Sequence, residues 1–171
     1  MGILDILKQY ADPSTAPAGS VAGHFDQVAQ QTSPQDLGTS VAAAFRSDAT
    51  PPFGQMIGDL FAKSDPNQRA GILNQIVQSI GTGGLASIAG GVLGRVLGPG
   101  AATGAAAPQI TPEQASQISP ADAGAIAAHA EKQNGSIVDM AASFYAQHPT
   151  LVKSLGASAL AIVLGQLHSR R

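Results

Sequence analysis

The stretch Gly90-Gly91-Val92-Leu93-Gly94-Arg95-Val96-Leu97-Gly98 is the most informative part of this sequence for the fold. Gly90, Gly94 and Gly98 recur every four residues, and Ala86 extends the series by one turn, so on a helix these small residues form one stripe. A second helix can bring its backbone close to such a stripe. The pattern therefore predicts that one helix packs closely on another, and it contains no group suited to a chemical reaction.

Three interpretations of this stripe remain open from the sequence: a helix pair inside the chain, a helix contact between two chains, or insertion into a membrane. Each helical glycine costs about 1 kcal/mol relative to alanine, so three of them indicate a packing role. Membrane insertion is the least favoured, because Gln78 and Arg95 interrupt the apolar run and a spanning helix needs about 20 apolar residues.

Helix-start signals recur along the chain, each with a capping Ser, Thr or Asp, then Pro, then a polar residue three positions after the cap. The capping side chain accepts hydrogen bonds from free backbone N–H groups, and proline at the first helical position loses none. The four signals are Ser33-Pro34-Gln35-Asp36, Asp65-Pro66-Asn67-Gln68, Thr111-Pro112-Glu113-Gln114 and Ser119-Pro120-Ala121-Asp122.

Apolar periodicity agrees with these signals. Phe53, Met56, Ile57, Leu60 and Phe61 lie three or four positions apart and form a single helical face, and no stretch alternates as a strand does. The sequence predicts an all-α fold, a multi-helix bundle of short helices. The expected helices cover residues 2–11, 18–31, 34–47, 52–63, 66–80, 84–98, 112–118, 120–133, 136–147 and 150–168.

The segment from Gly98 to Pro108 is rich in Gly, Ala and Pro and is predicted to be a linker. It divides the chain into an N-terminal helical unit at 1–98, a linker at 99–110 and a C-terminal helical unit at 111–171. A unit of about 60 residues is near the lower limit for folding alone, so we expect it to pack on the first unit or on another chain.

The last expected helix is apolar on nearly every side, which predicts that it is buried in a bundle, in an oligomer seam or in a membrane. Small residues recur in it every four positions, as they do around Gly94. The residues predicted to act in helix packing or self-association are Ala86, Gly90, Gly94, Gly98, Ala157, Ala161 and Gly165.

Composition excludes several classes of function. The net charge of −2 gives no basic footprint for nucleic acid. The absence of cysteine excludes disulfides and thiolate chemistry, and the N-terminus lacks the pattern of a signal peptide, so we expect a cytoplasmic protein. Charged residues make up only 12% of the chain, against about 25% in a typical soluble domain, which favours self-association.

No set of residues in the sequence has the spacing of a catalytic, cofactor or metal site. The four histidines, at positions 24, 129, 148 and 168, form no pair four residues apart as on a zinc-binding helix. The carboxylates are scattered near helix N-termini, where they interact favourably with the helix dipole. We therefore expect no catalytic residues, no cofactor and no bound metal, and do not expect an enzyme.

The opening Met1-Gly2-Ile3-Leu4-Asp5 and the segment Val21-Ala22-Gly23-His24-Phe25-Asp26-Gln27-Val28-Ala29 resemble the YidB-like family of small bacterial helical proteins. The glycine-rich segment around Ile80 to Leu97 is similar in style. The resemblance covers roughly the first half of the chain, and it implies a bacterial, soluble, all-helical protein that is not known as an enzyme. The second half departs from the family's pattern.

These observations predict a non-catalytic helical protein that acts through self-association or scaffolding, with a homo-oligomer as the expected assembly. The alternative is a peripheral membrane protein or an apolar-ligand-binding protein, which would contact lipid through the glycine stripe or the C-terminal helix. Co-sedimentation with liposomes distinguishes the two, because an assembly protein stays soluble and multimeric in plain buffer.

Overall fold

The computed structural model of this chain describes residues 2–12, 17, 19–89, 91–98 and 107–170. Within these ranges every regular element is a helix, which confirms the predicted all-α fold. The elements are α1 (Ile3–Lys8), α2 (Val21–Ala29), α3 (Pro34–Phe45), α4 (Phe53–Lys63), α5 (Pro66–Ala89), α6 (Val92–Leu97), α7 (Pro112–Ser116), α8 (Pro120–Gln133), α9 (Ile137–Ala146), α10 (Pro149–Val152), a 3₁₀ turn (Lys153–Leu155) and α11 (Ala157–Ser169).

The four predicted helix starts are confirmed by their capping hydrogen bonds. The Ser33 and Ser119 hydroxyls accept the backbone N–H groups of Asp36 and Asp122, each at 3.1 Å. The other two starts are reciprocal, because each cap exchanges hydrogen bonds with the residue three positions later. These pairs are Asp65 with Gln68 and Thr111 with Gln114.

Glycines break the helical backbone at three places. Gly81, which follows the helix expected at 66–80, breaks α5 with φ 64° and ψ −176°. The helix expected at 84–98 is divided, because α5 ends at Ala89 and Gly91 has a non-helical backbone before α6. The helix expected at 150–168 is divided at Gly156, with φ 94°, and the two parts are bent by 119°. A positive φ cannot continue a right-handed helix, and glycine adopts it without a steric penalty.

The helices form two compact units, and α9 contributes residues to both. The first unit contains residues 1–52 and 142–171. In it, α11 packs against α1, α2 and α3. Ion pairs also join segments that are distant in sequence: Lys153 Nζ lies 2.6 Å from Asp26 Oδ2, and Arg170 Nη1 lies 3.8 Å from Asp36 Oδ1.

The second unit contains residues 53–141. Its most extensive helix pair is α4 with α8, and α5 packs against α6, α7 and α8. The core consists of large apolar side chains that are fully buried, among them Met56, Ile57, Leu60, Phe61, Ile72, Leu73 and Ile76.

The boundary between these units differs from the division drawn at the linker. Each unit combines helices from before and after residues 99–110, because helices on the two sides pack against each other. Residues 99–106 lie outside the described residues, whereas Gly98 and residues 107–110 are described.

The segment after the predicted linker is fixed to α5 by one side chain. The Asn74 amide donates to the carbonyl of Ile110 at 3.0 Å, and the Ile110 N–H donates to Asn74 Oδ1 at 2.7 Å. Ile110 is buried, so its backbone groups depend on this pair for their hydrogen bonds.

We expect Asn74→Ala to lower the free energy of unfolding by about 1–3 kcal/mol, because a buried N–H and a carbonyl lose their partner. Asn74→Asp should also destabilise the protein, since a carboxylate oxygen then faces the Ile110 carbonyl oxygen. Guanidinium unfolding measures both effects, and Gln78→Ala, at an exposed position one turn further along α5, is the control. Equal stability of Asn74→Ala and Gln78→Ala would contradict this role.

Candidate functional site

In the second unit, α4 and α8 come into close backbone contact at three glycines. A Cβ built on Gly124 lies 2.6 Å from the carbonyl oxygen of Gly54, and a Cβ built on Gly54 lies 2.6 Å from the carbonyl oxygen of Gly124. A Cβ on Gly58 lies 2.8 Å from the Pro120 carbonyl oxygen. The two backbones therefore approach to a distance that only glycine permits.

Our sequence reasoning missed this crossing, although a signal for it was present. Gly54 and Gly58 are four residues apart on a helix with a clear apolar face, the same spacing as in the stripe around Gly94. The partner residue Gly124 stands alone in an alanine-rich helix, so nothing in its spacing indicates a contact.

The stripe residues of the second unit that the structure describes do not share one helix. Ala86 belongs to α5. Gly90 lies outside the described residues. Gly94 is half-buried in α6, and Gly98 follows α6 with φ 83° and donates its N–H to the Gly94 carbonyl at 3.0 Å. The stripe is therefore not continuous along one helix, because α5 ends at Ala89 and Gly91 has a non-helical backbone, which glycine adopts readily.

The three predicted residues of the last helix lie in the first unit. Ala157, the first residue of α11, is exposed, whereas Ala161 is buried. Gly165 is at a close contact, since a Cβ built on it lies 2.8 Å from the Tyr10 carbonyl oxygen. At Gly165, the small residue thus serves packing within the unit.

Helix α6 is apolar and only partly covered. Its sequence is Val-Leu-Gly-Arg-Val-Leu, yet only Leu93 is buried, while Val92, Val96 and Leu97 are half-buried and Arg95 is exposed. Its packing partner in the unit is α5, and Gln114 donates to its Val96 carbonyl at 3.2 Å. The exposed parts of these three half-buried side chains, together with the backbone at Gly94, leave an apolar surface that another group can contact.

A groove of about 280 Å³ lies beside this helix. Ile88, Val92 and Ile126 form its apolar lining, together with Gly91 and Ala125. The α8 wall presents residues at positions 122, 125, 126 and 129, which share one helical face. Its polar groups are the Asp122 carboxylate and the His129 imidazole, which are two helical turns apart.

The His129 ring belongs to a small polar cluster at the edge of the groove. Its Nε2 lies 3.1 Å from Ser87 Oγ and 3.1 Å from Gln133 Nε2. The Ser87 hydroxyl donates to the Gly84 carbonyl at 2.7 Å, and Gln133 Nε2 donates to Ser87 Oγ at 3.2 Å. These contacts hold the His129 ring at the edge of the groove.

Two of the other three histidines contact aromatic side chains. His24 Nδ1 lies 2.9 Å from the hydroxyl of Tyr10, and burial raises the pKa of Tyr10. The His148 ring packs against Phe144, with ring centroids 5.1 Å apart. In the described ranges, no three His, Asp or Glu side chains lie together as the ligands of a metal ion do.

No single described helix meets both requirements of a membrane span, which are its length and its apolar content. The bent pair made of Pro149–Leu155 and Ala157–Ser169 meets them together, by length and composition only. In the first unit, most of the large apolar side chains of α11 are buried.

Comparisons with protein-family models, with curated proteins and with solved structures gave no match to this chain.

Proposed function

We propose that this chain is a non-catalytic helical protein that works through self-association or scaffolding, in the bacterial cytoplasm. The observation that carries the proposal is the apolar surface of α6, on which Leu93 alone is buried. Val92 continues this surface into the groove, so that helix and groove form one apolar region.

Low charge supports the same proposal. With charged residues at only 12% of the chain, there is little electrostatic repulsion between copies of the protein. Gly94 is half-buried on α6 and adds no side chain to the surface, so a second helix can approach the backbone there.

Binding of an apolar ligand or a lipid is the second candidate, and the groove is the observation that favours it. A volume of about 280 Å³ is close to the lower end of the range for small-molecule pockets, about 300–1,000 Å³. An apolar lining with two polar groups is also typical of such pockets.

Light-scattering mass over a micromolar concentration series tests the first candidate. We expect a mass above the 17.1 kDa of one chain. Gly94→Leu should reduce the mass to that of the monomer, because its side chain obstructs the surface of α6. Gly23→Leu is the matched control, since Gly23 lies in α2 with nothing within 4 Å of its built Cβ.

A mass of 17.1 kDa throughout the series would contradict self-association. If that monomer also co-sediments with liposomes, the lipid-binding candidate replaces it. If both Gly94→Leu and Gly23→Leu keep the wild-type mass, the protein associates through a surface other than α6.

A further inference from the structure

We propose that the groove in the second unit receives α6 of a second copy of this chain, in a two-fold symmetric homodimer. The inference rests on the proposed self-association and names the surface and the partner that it uses. Its defining contact is a pair of reciprocal salt bridges, from Arg95 of each copy to Asp122 of the other.

The position of α6 makes a symmetric arrangement possible. Val92, at the start of α6, lines the groove, and the half-buried Val96 lies one turn further along the same helix. A two-fold axis beside this helix can therefore bring each α6 against the groove of the other copy. In such an isologous interface the same surface is used twice, so one groove and one helix suffice.

Charge complementarity indicates what the groove receives. Asp122 is half-buried in the groove, and its Oδ2 accepts a hydrogen bond from the Ser119 hydroxyl at 2.6 Å. Within the described ranges, no cation forms an ion pair with this carboxylate. An occupant with an apolar body and one positive charge fits these groups best.

Helix α6 of the chain itself is such a segment, because it is apolar and contains one cation, Arg95. Arg95 is exposed, pairs with no carboxylate in the described part of the chain, and lies three residues after Val92 on a nearby face of α6. It is also the only charged residue between Ala70 and Pro112. A second copy thus supplies an apolar helix with one cation to an apolar groove with one carboxylate.

Charge reversal tests the reciprocal pairs. Arg95→Glu and Asp122→Lys should each raise the dimer dissociation constant about tenfold or more, because symmetry places the like charges together twice. An equimolar mixture of the two variants should restore dimerisation. In that heterodimer, Glu meets Lys at one contact and the native Arg95 meets the native Asp122 at the other.

Asp122 also supports the N-terminus of α8, so a control must separate folding from association. Asp36→Lys is matched at the cap, because Ser33 and Asp36 form the same cap at α3, with the hydroxyl 2.7 Å from the carboxylate. It also breaks the ion pair with Arg170, so it is a stricter test of folding than Asp122→Lys. We expect Asp36→Lys to keep the wild-type mass. Recovery in the mixture also shows that the reversed chains are folded.

The outcomes distinguish this inference from the proposed function. A monomeric wild type overturns both, and a shift of the Ile126 methyl resonances on adding a hydrophobic amine then assigns the groove to a small cationic ligand. An oligomer that both single variants retain overturns the groove interface alone. Single variants that dissociate but do not recover on mixing overturn the reciprocal pairing.

Discussion

Gly124→Ala is expected to lower the free energy of unfolding by about 1–3 kcal/mol, the usual cost of overpacking a well-packed core. The added methyl would lie 2.6 Å from the Gly54 carbonyl oxygen. The obstacle is backbone, so no change of rotamer relieves it and α4 must move away from α8. Urea or thermal unfolding followed by circular dichroism measures the effect, and Gly124→Val should cost more.

Gly23→Ala is the control for this prediction. Its built Cβ meets nothing within 4 Å, so the substitution should stabilise the protein by about 0.5–1 kcal/mol through better helix propensity. Changes of opposite sign in the free energy of unfolding at these two helical glycines would therefore separate the effect of packing from that of helix propensity. A stabilising Gly124→Ala would contradict the close approach of α4 and α8.

The double variant Gly54→Ala/Gly124→Ala sharpens the test. Both methyl groups push the same two backbones apart, so once the first has separated the helices the second should cost less than it does alone. Additive effects would indicate that the two glycines act at independent places.

The second large effect concerns the predicted linker. We expect a chain cut by a site-specific protease, at a recognition sequence inserted between Ala101 and Ala102, to remain one particle under native conditions. Both compact units are built from helices on the two sides of the cut, with close contacts such as Gly54 to Gly124 and Gly165 to Tyr10. After unfolding and separation, each piece alone should lose most of its helical signal, and mixing should restore it.

The division drawn from the sequence predicts a different result. Two units that fold independently on either side of the linker would elute separately after cutting, each with its own helical signal. Size-exclusion chromatography with light scattering distinguishes the two results, and the uncut chain carrying the same insertion is the control. Separate elution would show that contacts across the linker contribute little to stability.

The candidate site was only partly predictable from the sequence. The four-residue spacing of the glycines singled out Gly94, and in the structure Gly94 is half-buried on the apolar helix α6. The groove could not be predicted, because it forms where Ile88 and Val92 meet Ile126 and Asp122, which lie 30 to 38 residues further along the chain. The polar cluster of Ser87, His129 and Gln133 has the same origin.

The sequence by itself determined the elements of this protein. Caps such as Ser33 and Ser119 and the apolar periodicity act through neighbours within four residues, so helix type and helix starts are local properties. Only the tertiary structure decided which helices pair, which glycines permit close contact and where the units divide. A close approach such as that of Gly54 to Gly124 depends on two backbones that are distant in sequence. The apolar periodicity of one helix indicates which of its faces is buried, but not which helix covers that face.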